Sequence, residues 1–118
     1  MTLAQRPAKI PAVFYRTAAG AEVVLDWLRG LDEGDRGAVG QDLMRVQYRW
    51  PVGMPLCRSL GDGLWEARTS LPSRRIARMI FSVRGGRIVV LHGFIKKSQK
   101  TPPDDLALAR RRDREFEG

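Results

Sequence analysis

Two glycine turns, Gly61-Asp62-Gly63 and Gly85-Gly86, punctuate a stretch that otherwise reads as strands, and their spacing constrains the fold more than any other feature of the chain. Before the first turn, Leu56 to Leu60 follows a helix break at Pro51 to Pro55 and reads as one strand. After it, Leu64 to Ser70 alternates, with Leu64, Glu66 and Arg68 pointing one way and Trp65, Ala67 and Thr69 the other. Arg75 to Val83 alternates as well, setting Ala77, Met79, Phe81 and Val83 opposite Ile76, Arg78, Ile80 and Ser82. Arg87 to Phe94 is apolar on both faces, the pattern of a strand covered from both sides. Turns this short join antiparallel neighbours, so the reading predicts an antiparallel sheet of about four strands.

Helical periodicity lies on either side of this region. Ala12 to Tyr15 reads as a short strand after Pro11, and then Val24, Trp27, Leu28 and Leu31 fall at helical spacing within Glu22 to Leu31. Asp32 to Asp35 offers caps for a second helix whose apolar face is Val39, Leu43, Val46 and Trp50. Two helices so closely joined should form an antiparallel hairpin, with Trp27 and Trp50 in the core. At the other end, Thr101 reads as a cap, Pro102 as the first helical residue and Asp104 as the completion of a T-x-x-D box. Leu106, Ala109 and Phe116 then share one side of a terminal helix, and its arginines and acids form a solvated face. The predicted fold class is α+β in the order β-α-α, antiparallel strands, α, as one domain over residues 1–118 with residues 1–11 flexible.

A chain of 118 residues is long enough for one core. No apolar run approaches the roughly 20 residues of a membrane span, and Met1 to Pro11 lacks the apolar stretch of a secretory signal, so a cytoplasmic location is expected. Cys57 is the sole cysteine and His92 the sole histidine, so neither an internal disulfide nor a zinc ligand set is expected, and no cofactor is implied. Cys57 reads as a small buried hydrophobe. The net charge of +8 is unevenly spread: residues 58–100 hold 10 Lys and Arg against 2 Asp and Glu, while the two flanking segments nearly balance. A segment of nearly one sign that coincides with strands points to an anion-binding face, and the alternative is an ordinary solvated surface.

The end of the last strand concentrates that charge. Leu91-His92-Gly93-Phe94-Ile95-Lys96-Lys97-Ser98-Gln99-Lys100-Thr101-Pro102 runs from an apolar strand through three lysines into a helix start. Cations beside an aromatic ring suit single-stranded RNA, whose phosphates and unstacked bases they can hold. Cutting RNA without a metal requires a base for the ribose 2′-hydroxyl, positive charge for the phosphorane-like transition state and a proton for the leaving 5′-oxygen. Arg68, Arg78, Lys96, Lys97 and Lys100 can supply charge, and crowding lowers the pKa of a lysine enough for it to accept a proton. His92 is the natural acid–base group by type, but alternation places it on the face of Val90 and Phe94, where a structural role fits as well. Phe94 divides between core packing and base stacking, and Glu66 reads as a residue that orients an arginine. No phosphate-binding glycine loop or nucleophile elbow is present.

Gly63-Leu64-Trp65-Glu66-Ala67-Arg68, Arg78 and the run from Leu91 to Pro102 together resemble the HigB-like branch of the RelE/ParE toxin superfamily, a branch that includes proteins described as phage-derived. The resemblance covers the chain from about Val13 onward. It implies a RelE/ParE-like β-sheet packed on a helical hairpin. It also implies the toxin of a type II toxin–antitoxin system, an endoribonuclease that cuts mRNA on the ribosome and leaves a 2′,3′-cyclic phosphate. By position, Arg68 and Arg78 would hold the scissile phosphate, and Lys96 and Lys97 would contact phosphate, with one accepting the proton. Lys100, Phe94, His92 and Glu66 would bind RNA or shape the site. Ala77 precedes Arg78 where the family often has tyrosine, so no phenol is assigned. The implied partners are mRNA, the ribosome and a helix-turn-helix antitoxin encoded adjacently, with no membrane. Two other readings stay open: a ParE-type gyrase inhibitor and a non-catalytic nucleic-acid-binding phage accessory protein.

Overall fold

Both glycine turns close hairpins, because their backbones take conformations that side chains resist. Gly85 and Gly86 have φ of 57° and 71°, the two positive values that a tight two-residue turn needs. The computed structural model describes residues 9–96 and 100–116. Its elements are β1 (Ala12–Phe14), α1 (Val23–Arg29), α2 (Glu33–Arg49), β2 (Cys57–Gly61), β3 (Leu64–Ser70), β4 (Ile76–Arg84), β5 (Arg87–Lys96) and α3 (Pro103–Glu115). The order is the one read from the sequence, and β3 has the same bounds.

The sheet itself differs from expectation. It has five strands in the order β1-β5-β4-β3-β2, and it is mixed, because β1 runs parallel to β5 with Ala12 opposite Ile88 and Phe14 opposite Val90. The expected antiparallel sheet of about four strands is therefore the β2–β5 meander, to which the first strand adds itself. Ile88 N–H donates to Pro11 O at 2.9 Å and Ile10 N–H to Gln47 O at 2.9 Å, so Ile10 and Pro11 are hydrogen-bonded to the sheet and to α2, while residues 1–8 of the segment expected to be flexible lie outside the described residues.

Helices cover both faces, as the two-sided apolar pattern of β5 requires. The hairpin face buries Val39, Val46, Ala67, Ala77, Met79, Phe81, Ile88 and Val90, with Trp27 and Trp50 packed against them. Trp50 meets Trp65 and Phe81 edge-on, with centroids 4.9 and 5.4 Å apart. The opposite face buries Leu64, Ile80, Val89 and Leu91 beneath Ala109 of α3, with Leu106 and Phe116 alongside. The terminal helix is also held by polar groups: Tyr15 Oη donates to Glu115 Oε2 at 3.1 Å and Arg112 Nη1 donates to Leu91 O at 2.9 Å. Arg112 also lies over the Tyr15 ring at 5.1 Å, so it is packed, not part of a solvated face.

One contact links the sheet to α1 with no room to spare. A Cβ built on Gly93 would lie 2.4 Å from two atoms of the Trp27 indole. Gly93→Ala is therefore expected to destabilise the domain by about 1–3 kcal/mol through overpacking, and Trp27→Leu in the same chain should recover part of that loss. Urea melts of the single and double variants measure both quantities.

Candidate functional site

Strand register arranges the charged residues in rows across the face covered by α3. One row runs Arg58–Glu66–Ile80–His92 over β2, β3, β4 and β5, and the next runs Arg68–Arg78–Phe94. A third places Lys96 opposite Ile76. Arg68, Arg78, Phe94 and Lys96 thus converge at one end of the three longest strands, close to where α3 begins. Lys100 is exposed just before that helix, and Lys97 lies outside the described residues.

Glu66 organises the cluster. It is 2% exposed, and its Oε1 accepts from Arg78 Nη1 and, at 3.2 Å, from Arg58 Nη2. Its Oε2 accepts from Thr101 Oγ1 at 2.7 Å. Thr101 does not cap α3 as the sequence suggests, because the helix starts at Pro103, Pro102 takes the cap position and no side chain caps it; the Thr101 hydroxyl donates to the carboxylate instead. Arg78 is 3% exposed, and burial, opposed by Glu66, pulls its pKa below the ordinary arginine value. Its guanidinium remains a cation in this setting. Its Nε, also buried, finds no acceptor among the described residues. Arg68 is exposed and makes no ion pair among the described residues.

His92 sits on this face for a reason alternation could not supply. The β4–β5 register shifts between Ile80 and Phe81: Ile80 pairs with His92 but Phe81 with Val90, so Leu91 is an extra residue on β5. Val90 consequently belongs to the hairpin-side core while His92 and Phe94 face α3, which corrects the expectation that the three share a face. His92 Nε2 lies 2.6 Å from Asp105 Oδ1, and Arg112 Nη1 lies 3.5 Å from Nδ1. A guanidinium can only donate, so Nδ1 is the acceptor and Nε2 carries the proton toward Asp105. The ring also stacks on Phe94 at 5.3 Å. His92 is thus engaged on both nitrogens and one face, and it supports Phe94.

Cys57 is 1% exposed, and burial raises its thiol pKa to about 11, which fits an inert packing residue. No three of His, Cys, Asp and Glu gather where they could hold a metal ion among the described residues. No helix among them is long and apolar enough to cross a membrane. Sequence reasoning missed Arg58 and Thr101 as members of the cluster: Arg58 lies in no recognisable motif, and Thr101 was read as a helix cap; the register Arg58–Glu66 was the available signal.

A family model described as Phage derived protein Gp49-like matches residues 26–114, from α1 to the last turn of α3. The chain belongs to this family. Members of the Gp49-like family are often the toxin of a toxin–antitoxin pair. The matched span contains every described residue of the charged rows. No curated protein matches the chain.

Proposed function

We propose that this Gp49-like chain is a HigB-like toxin of the RelE/ParE superfamily that cuts mRNA on the ribosome by metal-independent attack of a ribose 2′-hydroxyl. The observation that carries the reading is the Arg68–Arg78 pair on adjacent strands, one arginine open to solvent and the other buried with an unused Nε–H beside it. When the 2′-oxygen attacks phosphorus, negative charge grows on the non-bridging oxygens, and donors held in place beforehand lower that barrier. Glu66, itself fixed by the Thr101 hydroxyl, holds Arg78, so it does not have to reorganise during the reaction. Arg68 closes on the phosphate from the open side. Lys96 and Lys97 supply further charge, and one of them accepts the 2′-proton. The P–O5′ bond breaks as the new P–O2′ bond forms, the 5′-oxygen takes a proton from solvent water, and the products are a 2′,3′-cyclic phosphate and a 5′-hydroxyl end. Phe94, backed by His92, offers a ring on which a base can stack.

An antitoxin encoded next door would be the natural inhibitor, and acidic residues would let it cover the arginine rows. The test is a translating extract programmed with a reporter mRNA. Purified protein should stop synthesis and produce mRNA fragments with 5′-hydroxyl ends at defined positions, and induction of the chain alone should arrest growth. Intact mRNA in an arrested extract would overturn the reading, and loss of gyrase supercoiling with intact mRNA would transfer the chain to the ParE-type alternative.

A further inference from the structure

Beside α2 lies a surface of which the RNA reading uses only Arg68, at its lip. Among the described residues the exposed large hydrophobics are Met44, Tyr48 and Met54, at 50%, 48% and 74% exposure, and all three line two adjoining hollows beside α2. Met54 lines a groove of about 680 Å³ between α2, the loop after it and the edge of β3, while Met44 and Tyr48 line an adjoining hollow. The two hollows share Arg45 and Arg49, and Arg68 stands at the far lip of the groove. Val52 and Leu56 add apolar lining. Asp42 is the one acid in this lining, and it is already engaged by Arg45 at 2.5 Å. Arg49 makes no ion pair among the described residues.

We propose that this face docks an acidic segment of a partner protein, with carboxylates meeting Arg45 and Arg49 and apolar side chains covering Met44, Tyr48 and Met54. Methionine, tyrosine and arginine are the residue types enriched where proteins meet, and all three occur in this lining. Flexible methionines adapt to an apolar anchor, and exposed clusters of this kind mark interaction sites. A second copy of this chain fits less well: a two-fold pairing through this face would set Arg45 and Arg49 against their own counterparts. RNA fits less well too, because the groove contains no aromatic ring and Tyr48 in the adjoining hollow already has Lys9 over its face, 5.8 Å from its centroid. Arg68 is common to this groove and the proposed cleavage site, whereas neither Arg49 nor Met54 belongs to the arginine rows.

The test uses a random peptide library of about 16 residues, long enough for four helical turns. It is selected on the wild-type protein after depletion on the double variant Arg49→Glu, Met54→Asp. Recovered peptides should combine acidic residues with large apolar ones. A synthetic representative should bind wild type at least about tenfold more tightly than the variant, and less tightly as salt rises. Peptides without carboxylates, peptides that bind both proteins equally, or no enrichment would overturn the proposal. So would a wild-type dimer that the variant dissociates, or a ribo-oligonucleotide whose binding the variant loses. The variant should still cut mRNA as wild type does. Failure of the wild type to cut would end the toxin reading and leave this surface standing.

Discussion

Replacing Glu66 by alanine is expected to cost about 3–5 kcal/mol of folding stability. Glu66 and Arg78 are 2% and 3% exposed, so each depends on the other for the interactions that water would otherwise supply. Removing the carboxylate leaves a buried guanidinium whose Nη1 joins Nε without an acceptor, and it also frees Thr101 and Arg58. Domains of this size hold only about 5–15 kcal/mol in reserve, so the variant should melt at markedly lower urea concentration. The control is the pair Glu66→Ala with Arg78→Met. Removing both charges abolishes the uncompensated cation, so most of the stability should return even though any cleavage activity does not. A single variant within about 1 kcal/mol of wild type would mean that solvent, not Glu66, satisfies Arg78.

Arg68→Ala is the complementary case, with a large effect on chemistry and almost none on folding. The side chain is exposed and contributes no ion pair among the described residues, so stability should stay within about 0.5 kcal/mol. Loss of one preorganised donor to a transition-state oxyanion costs about 10²–10³ in rate, and that is the expected fall in single-turnover mRNA cleavage. Arg68→Lys should recover part of it, since a point charge replaces a two-pronged donor. Full activity in the alanine variant would place the phosphate elsewhere along the rows.

Some of this site was legible in the residues and some was not, for identifiable reasons. The bounds of β3 were readable because strict alternation begins directly after a glycine turn. The alternation of β4 correctly set Arg78 against Met79, but alternation reports the face and not the depth, so it could not tell that Arg78 is buried against Glu66. On β5 the extra residue at Leu91 left no mark, since a strand that is apolar on both faces looks the same before and after a change of parity. Thr101 carried a strong local helix-start signal, but the helix begins one residue later than that signal placed it, with Pro102 at the cap and Pro103 first. The parallel pairing of β1 was hidden because three residues hold little pattern and the partner lies most of the chain away.

That last pairing sets the order in which the molecule can assemble. Ala12 leaves the ribosome early, yet it has no strand to join until Ile88 follows, and Tyr15 waits longer still for Glu115. Contacts so distant along the chain form late and slow the search for the native state. The meander and hairpin can gather first, while α3 and the network at its start close only when synthesis is nearly done. A nascent chain therefore carries arginines but no finished arrangement of them, and the arginine rows take their final form on a nearly completed molecule.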